Sequence, residues 1–150
     1  MKLIIVGATG FLGTELLRQA LARSDVTSIV AVTRRALPAS KEGNNGQGKV
    51  TNVVVKDYDV YDETAKRAFR GAEGCIWTIA ITPRRSTSFP WDEVVRICQT
   101  STLVGLRTMV ESEPANPFRF VYVSGAAGER DPTKKSWYKP EYMSLRVFFF

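Results

Sequence analysis

Apolar residues along this chain fall into short unbroken runs separated by amphipathic stretches. Leu3-Ile4-Ile5-Val6 has four apolar residues without alternation, the pattern of a strand buried on both faces of a parallel sheet. Ser28 to Thr33 reads as a second strand, Val50 to Lys56 as a third, Gly74 to Ala80 as a fourth and Phe118 to Val123 as a fifth. Between the first two, Phe11 to Arg23 sets Leu12, Leu16, Leu17, Ala20 and Leu21 on one helical face. A short helix over Asp62 to Arg70 is capped by Asp62. A long one runs from about Trp91 to Glu111, entered through Pro90 and ended before Pro114, with Val94, Val95, Cys98, Leu103, Leu106, Met109 and Val110 at its apolar positions. Ala36 to Gly48 holds too many breakers for a crossover helix and reads as a surface loop. Strands and helices that alternate with right-handed crossovers make an α/β, doubly wound parallel sheet, most simply in the order 3-2-1-4-5, with ligand across the first and fourth strands.

The turn out of the first strand narrows this further. Gly7-Ala8-Thr9-Gly10-Phe11-Leu12-Gly13 joins strand to helix. Gly7 allows the sharp turn, Gly10 lacks a side chain where a pyrophosphate would approach the backbone, and Gly13 lets helix and strand pack closely. The free N–H groups of the first helical turn, in the stretch holding Thr9, Phe11 and Leu12, attract anionic oxygens with help from the helix dipole. A Rossmann-type dinucleotide site is the leading reading, and a tight turn with glycines kept only for packing is the competing one.

Composition bounds the rest. A chain of 150 residues with 44% hydrophobic content makes one domain with a real core, 1–150, and is too short for two of ordinary size. No run of about 18 apolar residues exists and the N-terminus has no signal-peptide profile, so a soluble, cytoplasmic protein without a membrane partner is expected. Cys75 and Cys98 lack metal-ligand spacing and the chain has no histidine, which argues against a metal site and removes any histidine base. The net charge of +6 is spread over local pairs such as Arg34-Arg35, Arg84-Arg85 and Lys134-Lys135, which fits an anionic cofactor better than nucleic acid.

At the end of the second strand, where a carboxylate would favour NAD by bonding a ribose hydroxyl, the chain has Arg34 and Arg35. Their guanidiniums suit a 2′-phosphate, making NADP the expected cofactor and NAD the less favoured one; two solvated arginines on a surface turn are the alternative. Asp57, just after the third strand, is placed to meet an adenine edge, or else caps a turn in a run with Asp59 and Asp62.

The glycine turn, the Gly74-Cys75-Ile76-Trp77 strand and the Val121-Tyr122-Val123-Ser124-Gly125 strand end together resemble an atypical or extended short-chain dehydrogenase/reductase, of the epimerase-like or NmrA-like branches. The resemblance covers nearly the whole chain. It implies an NAD(P)-dependent oxidoreductase acting on a small molecule that the sequence does not name, or a cofactor-binding regulator or scaffold that turns nothing over. It also implies a serine after the fifth strand, a tyrosine in the next helix and a lysine four residues later. Ser124 matches the first and Tyr142 the second, Tyr138 being the other option with Pro140 interrupting the helix behind it, while Arg146 stands in place of the lysine; the competing reading makes Tyr142 a half-exposed aromatic and Ser124 a turn residue. A cation there lowers the phenol, whose ordinary pKa is ~10, toward proton exchange, although a guanidinium is bulkier and keeps its proton permanently. The family's fold continues past this point, so the domain reads as incomplete at its C-terminus, lacking the usual last strands. The apolar end Val147-Phe148-Phe149-Phe150 favours self-association.

Overall fold

The computed structural model describes residues 1–37, 48–125, 131, 133–134 and 137–145. Of the loop expected over Ala36 to Gly48, residues 38–47 lie outside the described ones, as do Arg146 and the apolar end 147–150.

Five strands, β1 (Lys2–Val6), β2 (Ser28–Thr33), β3 (Val50–Val54), β4 (Gly74–Trp77) and β5 (Arg119–Tyr122), form one sheet in the order β3-β2-β1-β4-β5, and every neighbouring pair is parallel. The order is the one that alternating elements and right-handed crossovers dictate. The unbroken apolar runs are explained by double coverage. Ile4, Val6, Val30, Val32, Val53, Cys75 and Trp77 point to one face, into a core with Phe69 and Met109. Leu3, Ile5, Ile29 and Ala31 point to the other, where Leu16, Leu17, Ala20 and Leu21 of α1 (Phe11–Ala22) cover them. Each aliphatic side chain fully removed from water contributes ~1.5–3 kcal/mol, which makes a one-residue slip of the central strands prohibitive. The β4–β5 end differs: Val121, paired with Ile76 in register, is 53% exposed.

α2 (Glu63–Phe69) starts where its cap requires, with the Asp62 carboxylate accepting from the Ala65 N–H at 2.8 Å. β4 is shorter than its apolar run, ending at Trp77 instead of Ala80. β1 leaves the sheet at Gly7, so the Thr78 N–H donates to the Val6 carbonyl at 3.1 Å and the chain beyond has no β1 partner. The residues that follow make a one-turn helix absent from the sequence expectation, α3 (Pro83–Ser86).

The long helix is present but not uniform. α4 (Trp91–Val95) passes through a π-helical turn over Arg96–Thr100 into α5 (Ser101–Glu111). The wide turn shifts the phase of the apolar pattern, so Leu103 and Val110, expected inside, are exposed. α5 buries Met109 as expected, together with Ser101, Thr102, Gly105 and Thr108, and its C-cap Ser112 is buried too. Small residues are needed because a Cβ on Gly105 would overlap the Trp77 ring. The buried hydroxyls are satisfied within the helix: Thr108 Oγ1 donates to the Val104 carbonyl at 2.9 Å and Ser112 Oγ to the Thr108 carbonyl at 2.6 Å.

A third cluster, of Ile81, Val94, Cys98, Tyr142, Met143 and Leu145, fastens the segment after β4 to α4, the π turn and α6 (Pro140–Leu145). Proline opens α6, where its missing N–H costs no helical bond. Among the described residues no helix is long and apolar enough to cross a membrane.

Candidate functional site

The C-terminal edge of the sheet gathers the turn after β1, the arginines after β2, the acidic loop after β3 and the end of β5. β1 is tied to β2 up to this edge, with the Gly7 N–H donating to the Val32 carbonyl at 2.9 Å. Gly7 then takes φ +86°, a left-handed conformation costly for any residue with a Cβ, and a Cβ there would lie 2.5 Å from Thr78 Oγ1. The Gly10 N–H closes the turn on the Gly7 carbonyl at 2.8 Å, and the Thr14 N–H opens α1 by donating to the Gly10 carbonyl at 2.9 Å. Gly13 is buried under the turn, where a Cβ would overlap the Gly7 carbonyl oxygen and lie 2.8 Å from Ala8 Cα.

What this turn leaves open is as informative as what it closes. α1 has no side-chain cap at Gly10 and no acidic residue in its first turn. Thr9, Gly10, Phe11 and Leu12 are exposed, Phe11 completely so. Leu12 therefore lies off the packed face of α1 to which the sequence assigned it. The first-turn N–H groups, without a carboxylate to neutralise the positive end of the helix, form a surface suited to a phosphate or pyrophosphate. Two positions where a side chain would collide, Gly7 and Gly13, and a third where it would fit tightly, Gly10, beside an exposed first helical turn, meet the steric requirement of a dinucleotide cradle.

Past β2, Thr33 is fully buried while Arg34 and Arg35 are exposed. Burial pushes the pKa of the nearby Tyr58 phenol up, and the Arg34 guanidinium partly offsets the shift. Asn52 shapes the same corner from β3. Its Nδ2 donates to the Ala31 carbonyl at 2.9 Å and to Thr33 Oγ1 at 2.8 Å, while its Oδ1 accepts from the Leu37 N–H at 2.9 Å. The sequence reading missed Asn52 and Tyr58. The available signal was a lone amide inside a strand of valines, a residue type that strands disfavour unless its polar atoms are used.

In the loop after β3, Asp57 is half-exposed and faces Arg96 of the π turn at 3.7 Å. Arg96 also meets Asp59 at 3.1 Å and Glu93 at 2.8 Å. These neighbours hold the guanidinium's pKa above its ordinary value, and Arg96 in turn holds the Glu93 carboxyl below its own. Only the Glu93–Arg96 spacing is visible locally, as a helical i,i+3 pair.

The residues expected to carry chemistry lie apart from this corner. Ser124 is exposed, just beyond β5. Tyr142 is 4% exposed in the third cluster, and its hydroxyl donates to the Ile81 carbonyl. The N–H of the same residue is also engaged, donating to Cys98 Sγ at 3.3 Å, and Cys98 Sγ is a second donor to the Ile81 carbonyl at 3.8 Å. Nearby, Lys139 Nζ donates to the Pro83 carbonyl and to Ser86 Oγ, joining α3 to the start of α6. Among the described residues no group of histidine, cysteine or carboxylate side chains could hold a metal ion.

No family model matches the sequence. Over 75 residues, 50% of this chain, it is 32% identical to the leucinostatins biosynthesis cluster protein T of Purpureocillium lilacinum, covering 26% of that protein. Solved structures align along almost its whole length. MoeE5 in complex with UDP-glucuronic acid and NAD gives a TM-score of 0.68 at 19% identity, over 99% of this chain and 47% of MoeE5. A short-chain dehydrogenase/reductase of Saccharomyces cerevisiae gives 0.70 at 13%, over 98% of this chain and 60% of that one. The dTDP-glucose 4,6-dehydratase DesIV of Streptomyces venezuelae, a double mutant with NAD and DAU bound, gives 0.68 at 21%, over 98% and 48%. The chain thus has the α/β fold seen in short-chain dehydrogenase/reductase and epimerase-type structures. It spans about a quarter of its curated relative and about half of most of the solved ones.

Proposed function

We propose that this chain binds a nicotinamide dinucleotide along the C-terminal edge of its sheet, NADP(H) in preference to NAD(H), as the cofactor-binding part of a short-chain dehydrogenase/reductase acting on a small molecule. The carrying observation is the turn from β1 into α1, where Gly7 and Gly13 stand at positions closed to side chains and the first helical turn has neither side-chain cap nor carboxylate. The NAD in two of the structures named above supports the cofactor class. The preference for NADP rests on Arg34 and Arg35 alone.

In this reading Gly7, Gly10 and Gly13 let the pyrophosphate approach the backbone at Thr9, Phe11 and Leu12. Arg34 and Arg35 pair with the 2′-phosphate, and Asp57 accepts from the adenine amine. The nicotinamide, when bound, supplies hydride-transfer chemistry. Ser124 and Tyr142 polarise a substrate carbonyl, and Arg146 holds positive charge near the phenol. Tyr142 must then exchange its bond to the Ile81 carbonyl for one to substrate. That existing bond is the observation favouring the second reading, a cofactor-binding regulator that performs no turnover.

Calorimetric titration of the full chain with NADPH and NADH tests both. Replacing Arg34 and Arg35 together by alanine is expected to weaken NADPH about 10- to 100-fold, the loss of one or two charge-assisted hydrogen bonds, with little change for NADH. NADH binding as tightly as NADPH to the unaltered protein would overturn the preference, and binding of neither would overturn the reading. Binding without NADPH oxidation on any carbonyl substrate, indifferent to Tyr142→Phe, would select the regulator.

A further inference from the structure

The loop after β3 carries three aspartates, and only Asp62 has a local structural task, the cap of α2. The other two face Arg96, which is 37 residues from Asp59 in sequence. Arg96 Nε and Nη2 each donate to one oxygen of Glu93, both at 2.8 Å, and Nη1 donates to Asp59 Oδ2 at 3.1 Å. The same Nη1 stands 3.7 Å from Asp57 Oδ1, within reach of an ion pair and outside a hydrogen bond. The guanidinium is thus a fixed planar fork, with its Nε–Nη2 edge committed to Glu93 and Nη1 shared unequally between two carboxylates. Among the described residues neither oxygen of Asp57 accepts a hydrogen bond, and its side chain is 45% exposed. Asp57 is oriented by the cation while its acceptor capacity is left unspent.

The backbone that presents Arg96 is itself unusual. It opens the π-helical turn, and Ser101 Oγ donates to the Arg96 carbonyl at 2.9 Å across that turn, alongside the Ser101 N–H. π turns carry an extra residue and persist where the altered side-chain direction is used. Arg96, at the start of that turn, reaches the loop following β3, on the edge of the sheet that carries the glycine turn.

We infer that Arg96 is a positioning residue for adenine: by holding Asp59 closely and Asp57 loosely, it fixes the direction in which the free Asp57 carboxylate accepts the exocyclic amine. This rests on the dinucleotide reading above. Without the cation, Asp57, Asp59 and Glu93 are three like charges at close quarters, and the exposed one turns away toward solvent.

The test uses the full chain and two probes, NADPH and its deamino analogue, in which hypoxanthine replaces adenine and the amine donor is missing. The unaltered protein is expected to prefer NADPH about tenfold, and Asp57→Ala to abolish that preference. Arg96→Gln is expected to reduce it to about twofold or less, Arg96→Lys to restore part of it, and Asp57→Ala with Arg96→Gln to match Asp57→Ala alone. A purely structural role would weaken both probes equally and leave their ratio intact, and that result overturns the inference. So does an Arg96→Gln protein with the full preference. If Arg96→Gln fails to fold, Arg96→Lys carries the test, and an unchanged ratio in it overturns the inference equally. Binding of neither probe to the unaltered protein would mark failure of the dinucleotide reading itself. Equal binding of both, unaltered by Asp57→Ala, would remove Asp57 from adenine recognition and Arg96 with it.

Discussion

The turn after β1 and the segment after β4 leave the same edge of the sheet side by side, and they satisfy their backbones with different balances of main chain and side chain. In the first, main chain bonds to main chain, Gly7 to Val32, Gly10 to Gly7 and Thr14 to Gly10, with the local Thr14 Oγ1 adding bonds to the Gly10 and Ala8 carbonyls. In the second, side chains distant in sequence provide key partners. The Thr78 N–H donates to the Val6 carbonyl as main chain, but Thr78 Oγ1 donates there too at 2.7 Å, and Ile81 is held by Cys98 on its N–H and by Tyr142 and Cys98 on its carbonyl. A turn closed by its own backbone leaves its amides facing outward and its surface bare, which suits an anion. A segment closed by side chains drawn from two later helices is only as fixed as those helices are.

The largest effect is expected where the bare surface is tightest. Gly13→Ala puts a Cβ into the Gly7 carbonyl, which has no slack because Gly7 is bound to β2 on one side and Gly10 on the other. Overpacking against backbone should cost about 3 kcal/mol or more and abolish dinucleotide binding, as read by urea denaturation and titration. A substitution tolerated within about 0.5 kcal/mol would show that the helix start can move, and the contrast between the two segments would lose its basis.

A second, smaller effect separates the regions by pH. The glycine turn has no titratable side chain, whereas the core beneath β4 contains Cys75 and Tyr61, whose pKa values are both pushed up by burial. The folded state holds their protons to higher pH than the unfolded chain does. Their contribution is therefore complete below the unfolded values, ~8.5 for a thiol and ~10 for a phenol, and is lost as pH rises beyond them toward the folded ones. Stability should fall above about pH 9, approaching ~1.4 kcal/mol per pH unit for each group that titrates only on unfolding, Cys75 first. Denaturation midpoints that stay flat from pH 8 to about pH 11 would contradict this.

The same contrast explains how much of the molecule was legible in its sequence. The sheet order and the glycine turn could be read because their determinants are consecutive: apolar runs set the strands, and seven residues set the turn. The long helix was located correctly and its expected face in part: Val94, Cys98 and Met109 are buried, while Leu103 and Val110, placed inside by a uniform helical period, are exposed beyond the π turn over Arg96–Thr100. The burial of Tyr142 depends on a carbonyl 61 residues away and Asp57 meets Arg96 across 39 residues, so neither contact has a local signature. Asn52, which organises the corner beyond Arg34 and Arg35, has no local signature of that role because its partners belong to β2 and to the loop at Leu37.

The smallest of these effects is the most direct measure of the side-chain-held segment. Tyr142→Phe keeps the ring in its cluster and deletes one of two donors to the Ile81 carbonyl, Cys98 Sγ being the other at 3.8 Å, so it should cost about 1 kcal/mol, the net worth of one hydrogen bond. Cys98→Ala removes the acceptor of the Ile81 N–H and the second donor to its carbonyl, together with some packing. The two losses should not simply add, because both side chains donate to the same carbonyl. A double-mutant cycle is then expected to give a coupling energy of about 0.5 kcal/mol or more. Strict additivity would mean that the two side chains report on separate structures. The Tyr142 hydroxyl would then be free to leave Ile81 for a substrate without disturbing the strand end, and the case for catalysis over regulation would be the stronger for it.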